Sequence, residues 1–526
     1  MDKALEHLLN TIVQTRHQAQ VAEKEEDVIK VSETVSAAAS VYETVRNTLE
    51  YDEEHLLRRN AIRRILKRCL IEGSQTQMAE TLVKELIWAR YLPNGHVPTK
   101  MIEKVGLILE KYRLLFGILE SETPQGQQGY DWLLDVASVE IEYLLVPPSV
   151  DEALASFAYQ ELKRRVDWRT HSFPEIDRDL QLYIAVHRSV LNSNPATLRY
   201  RLLTLYYPYW RKAKKDDPVV NEIMTNLPKV IESIEKQIGH PAQDDVYRFI
   251  RRHAIVFHLL CDIAKDNPEA FTALLVSGDM GSIDVAITKA AEVRYALFRS
   301  RITRTVMRAA FFLLLTKSIL AFLLEYPYEV FILQTTDFFP LTVNILFPPI
   351  LLSLIGLTIR IPKFENTARI LEELHAIFGT GDEFSLVFKR HRSWGGVLWW
   401  IFNGLYLFIL ILMIWLIVST LRKFDFNGLS IFFFIFFLSL VAYFGLRIRN
   451  TRRELVVIDM SGGFFGTLID ILFLPIIRAG RWVALRAPRV NIFLFFFDFI
   501  IEAPFKAAIG IVESWLGFLK EKREEI

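Results

Sequence analysis

The chain has 526 residues, 51% hydrophobic and 13% aromatic, with 62 Lys and Arg against 61 Asp and Glu. That composition excludes wholesale disorder, which needs few apolar and aromatic residues. Two cysteines, Cys69 and Cys261, exclude a disulfide scaffold, and a net charge of +1 gives no general attraction to nucleic acid.

The average hides two different halves. Residues 306–526 hold 31 of the 38 Phe, with 22 Lys and Arg against 18 Asp and Glu. The remainder is polar and slightly acidic. The reading is all-α: a helical cytosolic domain over 1–300, a polytopic four-span α-helical membrane domain over 301–460, and C-terminal interfacial or re-entrant amphipathic helices with a charged tail over 461–526.

The first 30 residues lack the apolar run and small-residue cleavage site of a secretory signal. Leu5, Leu8, Leu9, Ile12 and Val13 start a thin apolar stripe, which resumes as Val28, Val31, Val35, Ala38, Tyr42, Val45 and Leu49. Alternating spacings of three and four predict a long, exposed, coiled-coil-like helix over 1–50.

A basic amphipathic helix is predicted over His55–Leu70. Arg58, Arg59, Arg63, Arg64, Lys67 and Arg68 face away from Leu56, Leu57, Ile62, Ile65, Leu66 and Cys69. Such a face suits an anionic membrane or an acidic partner, or else pairs with the domain's own acids. Glu140 and Glu142 stand two apart and do not converge on a helix, so they make a poor acid pair.

Breaks are read at Pro93-Asn94-Gly95, Pro124 to Gly129, Pro147-Pro148, Ser172 to Pro174, Asn194-Pro195, Asp217-Pro218 and Gly239 to Pro241. Between two of them, Leu198–Lys215 interleaves Tyr200, Tyr206, Tyr207, Tyr209 and Trp210 with Arg199, Arg201, Arg211, Lys212, Lys214 and Lys215. Aromatics beside cations suit a headgroup belt or ordinary helix packing, and less well a nucleic acid. Arg199, Arg201, Trp210, Arg211 and Lys212 therefore join the basic helix as a candidate lipid or partner surface. His258, Cys261 and Asp262 share a helix face near His253, but no second cluster completes a metal site.

Val285–Phe298 is predicted to run unbroken into the first span. The four spans are Val306–Leu324, Phe338–Ile359, Trp394–Val418 and Leu429–Leu446. Each approaches the roughly 20 residues that cross a 30 Å core. Basic residues precede the first span, follow the second and follow the fourth. The stretch Glu325–Asp337 has acids and no cation. The positive-inside rule then places both termini in the cytoplasm, with Arg422 and Lys423 as the one exception.

Lys317 is the most specific intramembrane signal. A charge near the bilayer centre is unfavourable by about 2.5–3.5 kcal/mol on insertion scales, so it needs a partner or must snorkel. Asp470 and Asp498, in the apolar C-terminal segments 462–477 and 490–508, are candidate partners. Glu502 joins them as a candidate intramembrane polar residue. Pro340, Pro348 and Pro349 are expected to break the backbone ladder of the second span, which marks either a pathway or, more simply, a kink.

There is no phosphate-binding loop, dinucleotide motif or nucleophile elbow, so no catalytic residue, cofactor or metal is assigned. The first functional expectation is a membrane protein that anchors a helical domain and recruits or organises partners at the cytoplasmic face. Its expected partners are anionic headgroups, with a protein partner or a second copy also open. An alternative is a channel or transporter subunit with a polar route through Lys317 and the broken second span. A lipid-acting enzyme ranks third.

Overall fold

The computed structural model describes residues 3–22, 27–33, 56–72, 78–119, 123–168, 175–334, 338–359, 364–379, 386–388, 397–451 and 476–482, with Ser36, Ser40, Glu43, Leu455 and Leu474 singly. The protein is all-α. Helices begin where the sequence supplies a cap. Thr123 Oγ1 accepts from Gly126 N ahead of Pro124, and Asn194 Oδ1 accepts from Thr197 N ahead of Pro195. Asn267 Oδ1 does the same for Ala270 N ahead of Pro268. Proline is suited to a helix start because its missing N–H would have had no partner there.

The chain divides into two compact units. The helical unit takes in 2–163 and 173–247. Its helices are α1 Lys3–Ala22, α2 Leu57–Glu72, α3 Met78–Trp88, α4 Lys100–Gly117, α5 Pro124–Leu145, α6 Ser149–Arg165, α7 Glu175–Val190, α8 Pro195–Tyr206 and α9 Pro218–Ile238. A 3-10 turn, Trp210–Lys212, lies between α8 and α9. One core joins the inward faces of α2, α3, α4, α5, α8 and α9, with Ile62, Leu86, Leu134, Leu202 and Leu227 fully buried. Apolar residues recurring at three and four put those side chains on one stripe of each helix.

The N-terminal stripe is not one helix. Helix α1 ends at Ala22, and its Leu5, Leu8, Leu9 and Ile12 are buried rather than exposed. Val28 is extended and bridges Pro98, with Ile29 N donating to Val97 O. Asn94 supplies both a donor and an acceptor to Val31 from 63 positions away and so takes up main-chain groups that a helix would bond within itself. Val35, Ala38, Tyr42, Val45 and Leu49 lie outside the described residues.

The membrane unit takes in 164–172 and 248–489. Helix α10, Gln243–Arg251, leads into it, followed by α11 Ala254–Asp266 and α12 Pro268–Ser277. Helix α13, Met280–Leu320, is continuous and passes into two π-helical turns, Ala321–Glu325 and Tyr328–Leu333, which makes a helical run of 54 residues. Then come α14 Phe338–Leu357, α15 Phe364–Ile377, α16 Val397–Arg422 and α17 Gly428–Thr451. Short strands β1, Val166–Asp167, and β2, Leu386–Val387, pair in parallel.

Among the described residues, four helices are long and apolar enough to cross a membrane: the run containing α13, then α14, α16 and α17. This is a multi-pass membrane protein. Helix α14 remains a single helix through Pro348 and Pro349, so the span is not interrupted where its backbone ladder is. The two prolines remove only the donors to the carbonyls of Asn344 and Ile345, while the flanking ladder persists. Segments 462–477 and 490–508 lie outside the described residues, apart from Leu474 and 476–477.

The helices α13, α14 and α17 form the inner part of the bundle, and α16 is the outermost, only 6% of its apolar window being buried. Small residues set the inner spacing. A Cβ on Gly356 of α14 would lie 2.8 Å from both γ carbons of Val306. One on Gly445 of α17 would lie 2.9 Å from Ile355. In lipid, close backbone approach substitutes for the hydrophobic driving force available in water. Gly356→Leu and Gly445→Leu are each expected to destabilise the bundle by about 1–3 kcal/mol through overpacking. Gly404 of α16 has nothing within 4 Å, so Gly404→Leu is expected to stay within about 0.5 kcal/mol of the parent. Denaturant titration of the detergent-solubilised chain measures all three.

Candidate functional site

Lys317 is fully buried, so it does not snorkel. Its Nζ donates to Glu325 Oε1 at 2.6 Å, and both side chains have no exposed surface. The pairing depends on the π turn. On a regular α-helix, residues eight apart differ by roughly 80° in azimuth. A π turn, bonded i to i+5, advances by roughly 80° per residue rather than 100°. Over Ala321–Glu325 that lag brings Glu325 back to the azimuth of Lys317. Pro327 sits between the two π segments and removes a regular donor there. The phenyl faces of Phe433 and Phe437 lie 4.9 and 4.8 Å from the ammonium and add cation–π attraction.

The second carboxylate oxygen is occupied from two further helices. Asn344 Nδ2 of α14 donates to Glu325 Oε2 at 2.5 Å and stands 3.2 Å from Ser430 O. Ser430 Oγ of α17 reaches the same carboxylate at 3.4 Å. Asn427 caps α17 by accepting from Ser430 N at 2.8 Å, and its Nδ2 donates to Glu329 Oε1 at 2.8 Å. A polar string therefore enters from the Gly428 end of α17 and ends at Lys317. Beyond Lys317 the bundle is closed by Leu313, Leu352, Phe437 and Val441. One acceptor in the string, Asn344 Oδ1, is buried and bonds to none of the described residues.

The partner of Lys317 is therefore a residue that the sequence places in an external acidic stretch. Glu325 and Glu329 are both buried, because the helix continues to Leu333 rather than ending near Leu324. The signal that could have located them is the pair of glutamates four apart straddling Pro327 beside an intramembrane lysine. Asp470, Asp498 and Glu502 lie outside the described residues.

In the helical unit, the basic helix α2 directs its cations inward. Arg58 pairs with Glu142 at 3.1 Å, Arg63 with Asp131 at 2.7 Å and Asp135 at 2.6 Å, and Arg64 with Glu43 at 2.6 Å. Arg68 pairs with Glu85, Arg59 is buried against Asn60, and Lys67 is exposed. Arg199 bridges Asp135 and Glu235, each at 2.6 Å. Arg201 and Trp210 are buried, so a surface role does not extend to them. Arg201 donates to Tyr143 OH at 3.0 Å. Arg211 and Lys212 are exposed.

Trp210 belongs to a second buried network that sequence reasoning missed. Glu140 accepts from Lys111 Nζ at 2.6 Å, Tyr112 OH at 2.6 Å and Trp210 Nε1 at 2.9 Å. Lys111 also donates to Trp210 O at 3.0 Å and lies 4.1 Å from the indole centroid. Burial and then the Glu140 charge hold the Tyr112 phenol well above its ordinary pKa. A lone Glu in the apolar run Val139–Ile141 was its only trace in the sequence. No His, Cys, Asp and Glu group among the described residues could hold a metal. Comparisons with protein-family models, curated proteins and solved structures return no match.

Two outcomes follow. Removing one partner of a buried ion pair strands the other charge, at about 3–5 kcal/mol, whereas apolar replacement of both is close to neutral. Lys317→Met and Glu325→Met are each expected to lower the denaturation midpoint sharply, and the double variant to recover most of the loss. His187 supplies a pH effect. It is buried against Tyr183, and burial, reinforced by Arg201, holds its pKa well below the ordinary value. The unfolded chain takes up a proton near pH 6.5 that the folded chain refuses. Stability is thus retained at neutral pH and lost as pH falls through that value, by up to about 1.4 kcal/mol at pH 5.5. Denaturant midpoints of His187→Phe should fall less steeply between pH 7.5 and 5.5 than those of the parent.

Proposed function

We propose that this multi-pass membrane protein is a transport subunit that handles a proton or small cation at the Lys317–Glu325–Asn344–Ser430 site, with its termini in the cytoplasm. The observation that carries the reading is a buried ion pair whose carboxylate is shared by three helices of the bundle. Anchoring needs one apolar span and no intramembrane charge. Ionisable groups inside a membrane are expensive and mark ion or proton paths. A proton or cation competes with the Lys317 ammonium for the Glu325 carboxylate, and Asn344 Oδ1 offers an unused acceptor beside it. The apolar closure at Leu313, Leu352, Phe437 and Val441 supports a gated site rather than an open pore.

The orientation rests on Arg299, Arg301, Arg304, Arg447 and Arg449 at one end of the spans and on a stretch from Glu325 to Asp337 without Lys or Arg at the other. A second reading, recruitment of partners by the helical unit, is favoured by its size and by its exposed basic turn at Arg211 and Lys212. Proteoliposomes carrying an internal pH dye separate the two. The transport reading expects a flux driven by an imposed proton, sodium or potassium gradient, reduced at least tenfold in Glu325→Gln. Parent protein indistinguishable from empty vesicles under all three gradients contradicts it and leaves recruitment standing. Impermeant thiol reagent reaching Asp425→Cys but not Glu372→Cys in sealed cells supports the orientation, and the reverse contradicts it.

A further inference from the structure

The turn after α8 is built to present side chains that the fold itself does not use. Trp210 is its buried peg: the indole N–H is held by Glu140 and the main-chain carbonyl by Lys111. Asp217 closes the far side by accepting from Lys214 N at 2.8 Å. On this fixed frame Tyr209 is 80% exposed, Leu205 47% and Tyr206 42%. Arg211, Lys212 and Lys214 are exposed beside them and form no ion pair with the described residues. Lys215 is engaged with Glu110 at 3.4 Å.

The contrast with α2 is informative. There, Arg58, Arg63, Arg64 and Arg68 are matched to carboxylates within the unit. The turn keeps three cations unmatched and surrounds them with amphipathic rings. We propose that the turn Tyr206–Lys215 docks on anionic lipid headgroups of a bilayer. Exposed tyrosines with apolar bodies and polar tips are the residues of a headgroup layer. The unpaired charges complement a phosphate-bearing surface, each basic residue there contributing about fivefold to binding. The same chain is embedded in a bilayer through its four spans, so lipid is at high local concentration. Because Trp210 already fixes the turn, little ordering entropy is lost on contact. The inference is independent of transport at Lys317.

The test uses the full chain in nanodiscs. Cys69 and Cys261 are buried, so a bimane on Tyr209→Cys reports the turn, and one on Glu232→Cys serves as an exposed control on the same unit. Brominated phosphatidylcholine discs are compared with discs in which a third of the lipid is brominated phosphatidylglycerol. The expected result is at least twofold stronger quenching at 209 in the anionic discs and no change at 232. The triple variant Arg211→Gln, Lys212→Gln, Lys214→Gln should lose the difference, and its charge-conserving counterpart with Arg211→Lys alone should keep it. Equal quenching at 209 and 232 in both discs overturns the proposal. Protection of the 209 probe by an acidic peptide or single-stranded RNA, without lipid quenching, also overturns it and assigns the turn to a soluble polyanion.

Discussion

A lysine ammonium deep in an apolar bundle is the constraint on which the membrane unit depends. Lys317 cannot be left alone in hydrocarbon, and its length does not carry it to water. The fold answers by bringing a carboxylate onto the same helix face, which a regular α-helix would not do at that spacing. The π turn at Ala321–Glu325 supplies the missing rotation. Once Glu325 is committed, its second oxygen demands donors, and α14 and α17 each contribute one. The same interactions that neutralise the charge thus fix how three helices meet. The close approaches at Gly356 and Gly445 provide the van der Waals packing that holds those helices near enough to bond.

The helical unit solves a related problem in a different solvent. Its arginines are many, but Arg58, Arg63 and Arg199 meet Asp131, Asp135, Glu142 and Glu235, while Arg64 and Arg68 meet Glu43 and Glu85. One of its buried carboxylates, Glu140, is bonded by three donors from Lys111, Tyr112 and Trp210. A carboxylate so completely satisfied is tolerated in a core, where an unpaired one would not be. Its consequence at the surface is a turn whose exposed rings and cations have little freedom to collapse.

The parts legible in the sequence were those governed by local rules. Asn194-Pro195 and Pro124 read as breaks, and each lies at a helix start, where capping is decided within four residues, although Pro124 to Gly129 is itself helical. The unbroken helix through Val285–Phe298 was readable from the absence of Gly and Pro, and the spans from apolar length. What escaped reading was non-local or depended on a departure from the 3.6 period. Glu325 seemed external because a regular helix ends the apolar run at Leu324. Val28 and Val31 fit a heptad by spacing, yet Asn94, more than sixty positions away, bonds both main-chain groups of Val31, which lies outside any helix. The basic face of α2 gave no hint of which acids would meet it. Lys317 is legible as an intramembrane charge, whereas Glu325, its partner among the described residues, is not.

The central claim is that Lys317 and Glu325 form a direct ion pair inside the membrane. Solid-state NMR dipolar dephasing between Lys317 Nζ and the Glu325 carboxyl carbon, recorded on the full chain in lipid bilayers, tests it most directly. The account predicts strong coupling, matching an N–O separation of 2.6 Å. Glu325→Gln, recorded alongside, assigns the coupled carboxyl signal by removing it. No measurable coupling between the two groups would contradict the account, because Lys317 would then be neutralised by a different partner or not at all.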